Sequence, residues 1–219
     1  MEKYFSVLKE CPLFWQIAPE ELSGLLACLG ANVRHYKRRQ HILFQGETAK
    51  FVCVMLQGSA SVVNQDIYGN RSMLSRISPG QLFGESFACA GAQSLPVSVV
   101  AEEDCRVMLI DCHRITVSCS NACGFHNQMI YNLLRAVAQK NLEFHQKLEI
   151  TQKRTTREKL MAYLLAQAKA AGSREFTIPY DRQALADYLG VERSAMSAEL
   201  SKLQRDGVLE TKRSRFTLL

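Results

Sequence analysis

A chain of 219 residues, 47% hydrophobic and 22% charged, is long enough for one large or two modest cores and too apolar to stay disordered. No apolar run reaches the length of a membrane span, and the opening MEKYFSVLKE has acidic residues and no signal-peptide layout, so a cytoplasmic protein without a membrane partner is expected. The formal net charge of +6 is unevenly spread. From Gln152 onward there are 13 Lys/Arg against 8 Asp/Glu, and before it 14 against 13, so the positive excess lies where a polyanion would need it only in the last third.

The first 30 residues read as helical. Phe5, Leu8 and Lys9 precede Pro12, and Pro19-Glu20-Glu21-Leu22 opens a second helix carrying Leu25, Leu26 and Leu29, with proline supplying the φ and the glutamates complementing the dipole. From Asn32 to Cys112 the texture becomes β-rich. Short runs (51–56, 60–63, 73–77, 97–100, 106–110) are separated by turns, Gly46, Gly58, Gly69 and Gly80 recur every 11 or 12 residues, and Tyr68-Gly69-Asn70 reads as a hairpin tip. Strands at that spacing predict an antiparallel jelly-roll barrel able to enclose a ligand. All eight cysteines fall before Gly124, and in a cytosolic chain most are expected to be small buried hydrophobes rather than a disulfide framework.

After Gly124 the period becomes helical. Ile130, Leu134, Val137, Asn141, Phe144 and Leu148 alternate by four and three, a heptad seam in which Asn141 would fix the register of a two-stranded coiled coil. The competing reading is a helix that merely packs on its own barrel. A polar break at Lys153-Arg154-Thr155-Thr156-Arg157 marks a boundary, which divides the chain into an effector-sensing barrel with N-terminal helices (1–123), a dimerisation helix (124–151) and a DNA-binding domain (152–219).

Within that last part, a helix from Glu158 to Ala171 and a short strand at 176–179 lead into residues 180–209, YDRQALADYLGVERSAMSAELSKLQRDGVL. Leu185 and Leu189 share one helical face, and Met196, Leu200 and Leu203 share another. Gly190 between them suits the left-handed turn of a helix-turn-helix. The opposite face of the second helix carries Arg193, Ser194, Ser197, Ser201 and Lys202, with Arg182 and Gln183 at the start of the first, all of them groups that reach base edges or phosphates. Runs at 208–211 and 216–219 predict a hairpin around Lys212-Arg213-Ser214-Arg215, a wing with three cations at its tip. A plain helical hairpin with a solvated face is the bland alternative.

The segments Phe44-Gln45-Gly46-Glu47, Met55-Leu56-Gln57-Gly58-Ser59, Gly80-Gln81-Leu82-Phe83-Gly84-Glu85 and 185–209, in this order, resemble the Crp/Fnr family of bacterial transcription regulators over essentially the whole chain. The resemblance implies an α+β architecture: an N-terminal jelly-roll barrel, a long dimerisation helix and a C-terminal winged helix-turn-helix. It also implies a homodimer on palindromic double-stranded promoter DNA, controlled by a small-molecule effector or a cofactor, with RNA polymerase as a further partner if the protein activates.

Three departures shape the expectation. Cyclic-nucleotide binders of the family follow Gly-Glu with an Arg-Ser that neutralises the phosphate; here Gly84-Glu85-Ser86 is followed by Leu95-Pro96-Val97, so cyclic AMP would be a poorly compensated buried charge. Glu85 is either a ligand-hydroxyl acceptor or a turn-capping carboxylate. The oxygen-sensing branch carries an N-terminal cysteine cluster, whereas only Cys11 and Cys28 precede the barrel here. Cys119, Cys123 and His126 are the remaining candidates for a metal or haem, against two buried cysteines and a surface histidine, so the cofactor stays open. Finally, family recognition helices carry an arginine after the serine matching Ser197. Here Ala198 stands there, and Ser194 replaces a glutamate, so the operator should differ.

A metal-dependent enzyme on a cupin-like barrel needs clustered histidines and a carboxylate; His35, His41 and His113 are scattered, and no nucleophile elbow or P-loop occurs. The expectation is therefore not an enzyme but an effector-controlled DNA-binding regulator, with a redox or gas sensor as the alternative. A protein-binding module is the third class, separated from the first by salt-dependent DNA affinity.

Overall fold

The run Phe51-Val-Cys-Val-Met-Leu-Gln57 is apolar almost throughout because both faces of the strand it forms are covered. In the computed structural model, which describes residues 2–65, 71–117 and 124–219, this strand β3 (Phe51–Gln57) sends Val52, Val54 and Leu56 toward the helices and Cys53 and Met55 into the space between two sheets. One sheet runs β1 (Asn32–Tyr36), β8 (Cys105–Asp111), β3, β6 (Leu82–Phe83). The other runs β2 (His41–Leu43), β7 (Ser98–Ala101), β4 (Ala60–Gln65), β5 (Arg71–Ile77). Every pairing is antiparallel, with Val54 opposite Met108 and Val62 opposite Val99. This is the jelly-roll architecture that the glycine spacing predicts.

Three strands were not legible in the sequence. β1 is largely exposed and polar, and β2 and β6 span three and two residues, so none offers an apolar alternation. The predicted hairpin tip at 68–70 lies outside the described residues.

Helices α1 (Phe5–Glu10) and α2 (Pro19–Cys28) bury Leu8, Leu22, Leu25 and Leu26 against the outer face of the first sheet. Glu21 caps α2 by accepting from Ala18 N at 3.3 Å. Short helices α3 (Glu85–Cys89) and α4 (Cys112–Thr116) follow β6 and β8. Then α5 runs over Gly124–Thr151. The chain divides into two compact units, residues 1–139 and 140–219, with the division inside α5. In the first unit Met129 and Leu133 join the helical core, and Asn132 Nδ2 donates to the carbonyls of Leu13 (3.0 Å) and Trp15 (2.7 Å). That fixes one face of α5 inward.

The second unit has its own core of Leu160, Tyr163, Leu164, Leu185, Met196, Leu200 and Phe216. α6 (Thr156–Ala171) starts two residues before the predicted Glu158, because Thr155 and Glu158 form a capping box: Glu158 N donates to Thr155 Oγ1 (3.2 Å) and Thr155 N to Glu158 Oε2 (3.0 Å). β9 (Glu175–Thr177), β11 (Arg215–Leu218) and β10 (Leu209–Lys212) make a three-stranded sheet beside α7 (Arg182–Leu189) and α8 (Arg193–Arg205).

Tyr163 is buried in a three-ring cluster with Tyr180 and Tyr188, and its hydroxyl has no hydrogen-bond partner among the described residues. Tyr163→Phe is therefore expected to raise unfolding stability by about 1 kcal/mol, since it removes an unpaired buried polar group and keeps the ring. Urea denaturation checks this, and a loss of stability would show that the hydroxyl has a partner.

Candidate nucleic-acid interface and effector site

The second unit places the predicted reading helix by local chemistry at each end. Asp181 caps α7 by accepting from Ala184 N (2.8 Å). Gly190 ends α7 at φ 61°, ψ 48°, a left-handed turn that side-chain-bearing residues avoid. α8 then starts at a cap not singled out in the sequence. Glu192 reaches back to accept from Ser194 N (2.9 Å), Ala195 N (3.2 Å) and the Ser194 hydroxyl. These bonds, the Ser194 hydroxyl first, hold its carboxyl below the usual carboxylate range. Met196, Leu200 and Leu203 are buried, which leaves Arg193, Ser194, Ser201 and Lys202 exposed and Ser197 half-buried. The predicted face is thus solvent-facing, but two of its serines are locally engaged, Ser194 with Glu192 and Ser201 with the carbonyl of Ser197 (3.0 Å).

On α7, Gln183 is exposed and donates to Asp187 Oδ1 (2.9 Å). Arg182 is half-buried: it donates to Thr211 Oγ1 (3.0 Å), and its guanidinium lies 5.2 Å from the Phe216 ring centroid.

The wing is tighter than the sequence suggests. Lys212 pairs with Arg215, so the turn holds only Arg213 and Ser214, and Arg213 adopts φ 54°. Of the three cations expected at the tip, Arg213 alone occupies it. Lys212 is exposed on β10, and Arg215 forms an ion pair with Glu175 on β9. Arg213→Ala is expected to weaken DNA binding similarly on all sequences and to lower the salt slope by about 1 per protomer, with a smaller effect for Arg215→Ala. Anisotropy titrations at several salt concentrations distinguish the two.

In the first unit, Gly84 joins β6 to α3 at φ 76°. A Cβ there would stand 3.1 Å from the Phe51 carbonyl oxygen and 3.3 Å from Leu43 Cδ1. Glu85 is 1% exposed, and its Oε1 accepts from Ser86 Oγ (3.1 Å), Ser86 being half-buried. Leu95 is buried, with Pro96 exposed and Val97 half-buried. The Leu95 backbone is pinned by reciprocal bonds: Leu95 N donates to the Glu47 carbonyl and Gly46 N to the Leu95 carbonyl, both at 2.8 Å.

Gly84 and Leu95 meet at a cavity of about 130 Å³, whereas Glu85, Ser86, Pro96 and Val97 do not line it. The other walls come from Arg34 and Tyr36 on β1, Ile42 and Leu43 on β2, Leu109 on β8, Phe51 on β3 and the β2–β3 loop, including Glu47 and Lys50. Sequence reasoning missed Arg34 and Lys50, because exposed cations in a polar stretch carry no periodic signal.

His126 is 3% exposed and its Nε2 lies 3.2 Å from the Arg114 carbonyl oxygen, which corrects the surface position considered above. Cys119 and Cys123 lie outside the described residues. Among the described residues no three His, Cys, Asp or Glu side chains cluster as a metal site.

Along α5 the predicted seam is open toward solvent. Leu134, Phe144 and Leu148 are 66%, 69% and 51% exposed, Asn141 is exposed, and Ile130 and Val137 are half-buried.

A two-sheet jelly roll followed by a winged helix-turn-helix with an exposed polar reading helix defines a DNA-binding transcription regulator with a cyclic-nucleotide-binding-like sensing domain. Residues 33–116 match the cyclic nucleotide-binding domain and residues 158–219 the Crp-like helix-turn-helix domain. The chain belongs to the Crp/Fnr family. It is similar to the transcriptional activator protein FnrL of Cereibacter sphaeroides, 26% identical over 203 residues that cover 85% of this chain and 75% of the relative. It is also similar to the cyclic AMP receptor protein of Thermus thermophilus, 31% identical over 104 residues, 47% of this chain and 46% of that one. Its fold matches that of the global regulator CLP of Xanthomonas campestris with a TM-score of 0.61 at 18% identity, over 92% of this chain and 99% of that chain. These relatives are transcription regulators, not enzymes, and no helix among the described residues is long and apolar enough to cross a membrane.

Proposed function

We propose that the protein acts in the cytoplasm as a homodimer on a palindromic promoter site, with α8 of each protomer in the major groove and RNA polymerase recruited where it activates. The observation that carries this is the exposed polar face of α8, held by the buried Met196–Leu200–Leu203 stripe and fixed in aim by the caps at Asp181, Gly190 and Glu192. DNA contacts fall to Arg193, Ser194, Ser197, Ser201 and Lys202, with Gln183, Lys212 and Arg213 on phosphates. The seam Ile130–Leu148 of α5 supplies the dimer contact, and residues 1–123, 124–151 and 152–219 divide the roles of sensing, pairing and DNA binding. With Lys202, Lys212 and Arg213 of each protomer on phosphates, log affinity against log salt should fall with a slope of about −5. A slope near zero would favour a protein-binding module.

The first unit is the sensor, and its effector is a small molecule other than cyclic AMP. The support is chemical: Leu95, where cyclic-nucleotide binders place an arginine, is buried and its backbone is tied to the β2–β3 loop, so this position supplies no cation to a cyclic phosphate.

One observation favours a second reading, redox control. Cys89 Sγ on α3 lies 3.6 Å from Cys112 Sγ on α4. A hydroperoxide would convert one thiol to a sulfenic acid, releasing the corresponding alcohol or water, and the second sulfur would then displace water to close a disulfide. Partial desolvation of an otherwise exposed thiol, first, and the Cys112 thiol beside it push Cys89 up to about 12, so closure is slow at neutral pH and accelerates as pH rises. Mass spectrometry of peroxide-treated protein reads the pair as a loss of two hydrogens, abolished in Cys89→Ser. Promoter affinity unchanged by that closure would remove the redox reading.

A further inference from the structure

The cavity beside Gly84 has an amphipathic lining. Tyr36, Ile42, Leu95 and Leu109 form buried apolar walls, and the exposed groups at its edge are Arg34, Lys50 and Glu47 together with Thr48. Thr48 already donates its hydroxyl to the Gln93 carbonyl (3.2 Å), so the charged groups set the polarity of the mouth. Two cations against one carboxylate leave one net positive charge there.

The volume decides the size of an occupant. An apolar protein cavity of about 150 Å³ takes one benzene ring. At about 130 Å³ this one suits a single ring or a short branched chain. A purine joined to a sugar and a phosphate is several times too large. The walls also supply a neutral donor. Tyr36 lines the cavity beside Arg34, and its phenol O–H is a neutral group able to donate to a carboxylate. Burial, as the largest influence, raises the Tyr36 phenol above its ordinary value, so it stays protonated at neutral pH.

We propose that this cavity binds a small organic monoanion, a carboxylate on a ring-sized apolar body, with the body against Ile42, Leu95 and Leu109 and the carboxylate between Arg34, Lys50 and the Tyr36 hydroxyl. Arg34 presents a planar fork that matches a carboxylate, and Lys50 a point charge. Glu47 disfavours a dianion by like-charge repulsion, which sets the occupant apart from a phosphate monoester. The proposal rests on the reading of the first unit as an effector sensor and names the chemical class of the effector. It also ties the ligand to Gly84 and Leu95, the two motif positions that line the cavity.

The test is calorimetric titration of the full-length protein with benzoate, with benzamide as a neutral probe of the same shape. Benzoate is expected to bind with a Kd of roughly 0.1 mM, and benzamide at least about 10-fold more weakly. Arg34→Gln and Lys50→Gln should each weaken benzoate by about 10-fold with the melting temperature unchanged, since both side chains are exposed, and Tyr36→Phe should weaken it less. Equal binding of benzoate and benzamide, full affinity in Arg34→Gln, or no heat at 10 mM benzoate (about 100-fold above the expected Kd) would each overturn the proposal. Promoter affinity measured with and without benzoate separates the two claims. Benzoate binding without any promoter response would uphold the cavity and remove the sensor reading. A promoter response to another compound in a protein that ignores benzoate would do the reverse.

Discussion

Leu134→Asp is expected to turn the protein into a monomer and to lower promoter affinity by two orders of magnitude or more. Leu134 is 66% exposed, so the carboxylate costs the isolated protomer little. Across a coiled-coil seam, however, it would face its own copy, and two desolvated like charges repel. Loss of the dimer leaves each head with one half-site and removes the gain from tethering two heads, a factor of about 10² to 10⁴. Sedimentation velocity reads the first effect and anisotropy the second. A Leu134→Asp protein that still sediments as a dimer would move the interface off this stripe, and Phe144→Asp, on the same stripe at 69% exposure, is the companion variant.

The second large effect belongs to Arg193. It is the first residue of α8 and is exposed, at the end of the reading face opposite to Lys202. Replacing Arg193 by alanine is expected to lose about 1–3 kcal/mol of discrimination at one base pair in each half-site. Binding to random DNA should fall much less. Competition between operator variants measures this. A uniform loss over all sequences would make Arg193 a phosphate contact instead.

The helix-turn-helix was readable because each of its signals is local: Leu185 and Leu189 four apart, a glycine after Leu189, and a second stripe at Met196, Leu200 and Leu203. Each depends on a few neighbouring residues and on the 3.6-residue period, so no tertiary information was needed. The wing was misjudged by one residue on either strand. Lys212 and Arg215 are polar and looked like loop, yet they form the closing pair of the hairpin, and a pairing partner is a property of register, not of composition.

The cavity proposed to hold the effector was half legible. Gly84 and Leu95 stand at motif positions, but Arg34 and Lys50 come from a polar strand and a loop, and only the folded sheet brings them to the same opening. Glu192 escaped notice for a different reason. Glutamate is not among the favoured helix caps, and its longer side chain works here because Ser194 and Ala195 both offer N–H groups to it.

That cap has a kinetic consequence. The start of a helix, with its unpaired N–H groups, is a natural cradle for a backbone phosphate. In α8 the cradle is already filled by a carboxylate of the chain itself, so this helix end offers random DNA no extra hold. Residence on non-target sequence is therefore expected to be shorter than for a helix with an open N-terminus, which dissociation rates from random DNA would measure for the protein against Glu192→Ala. On the proposed assignment of Arg193 and its neighbours to base edges, operator preference would rest on those contacts, at some sacrifice of absolute affinity.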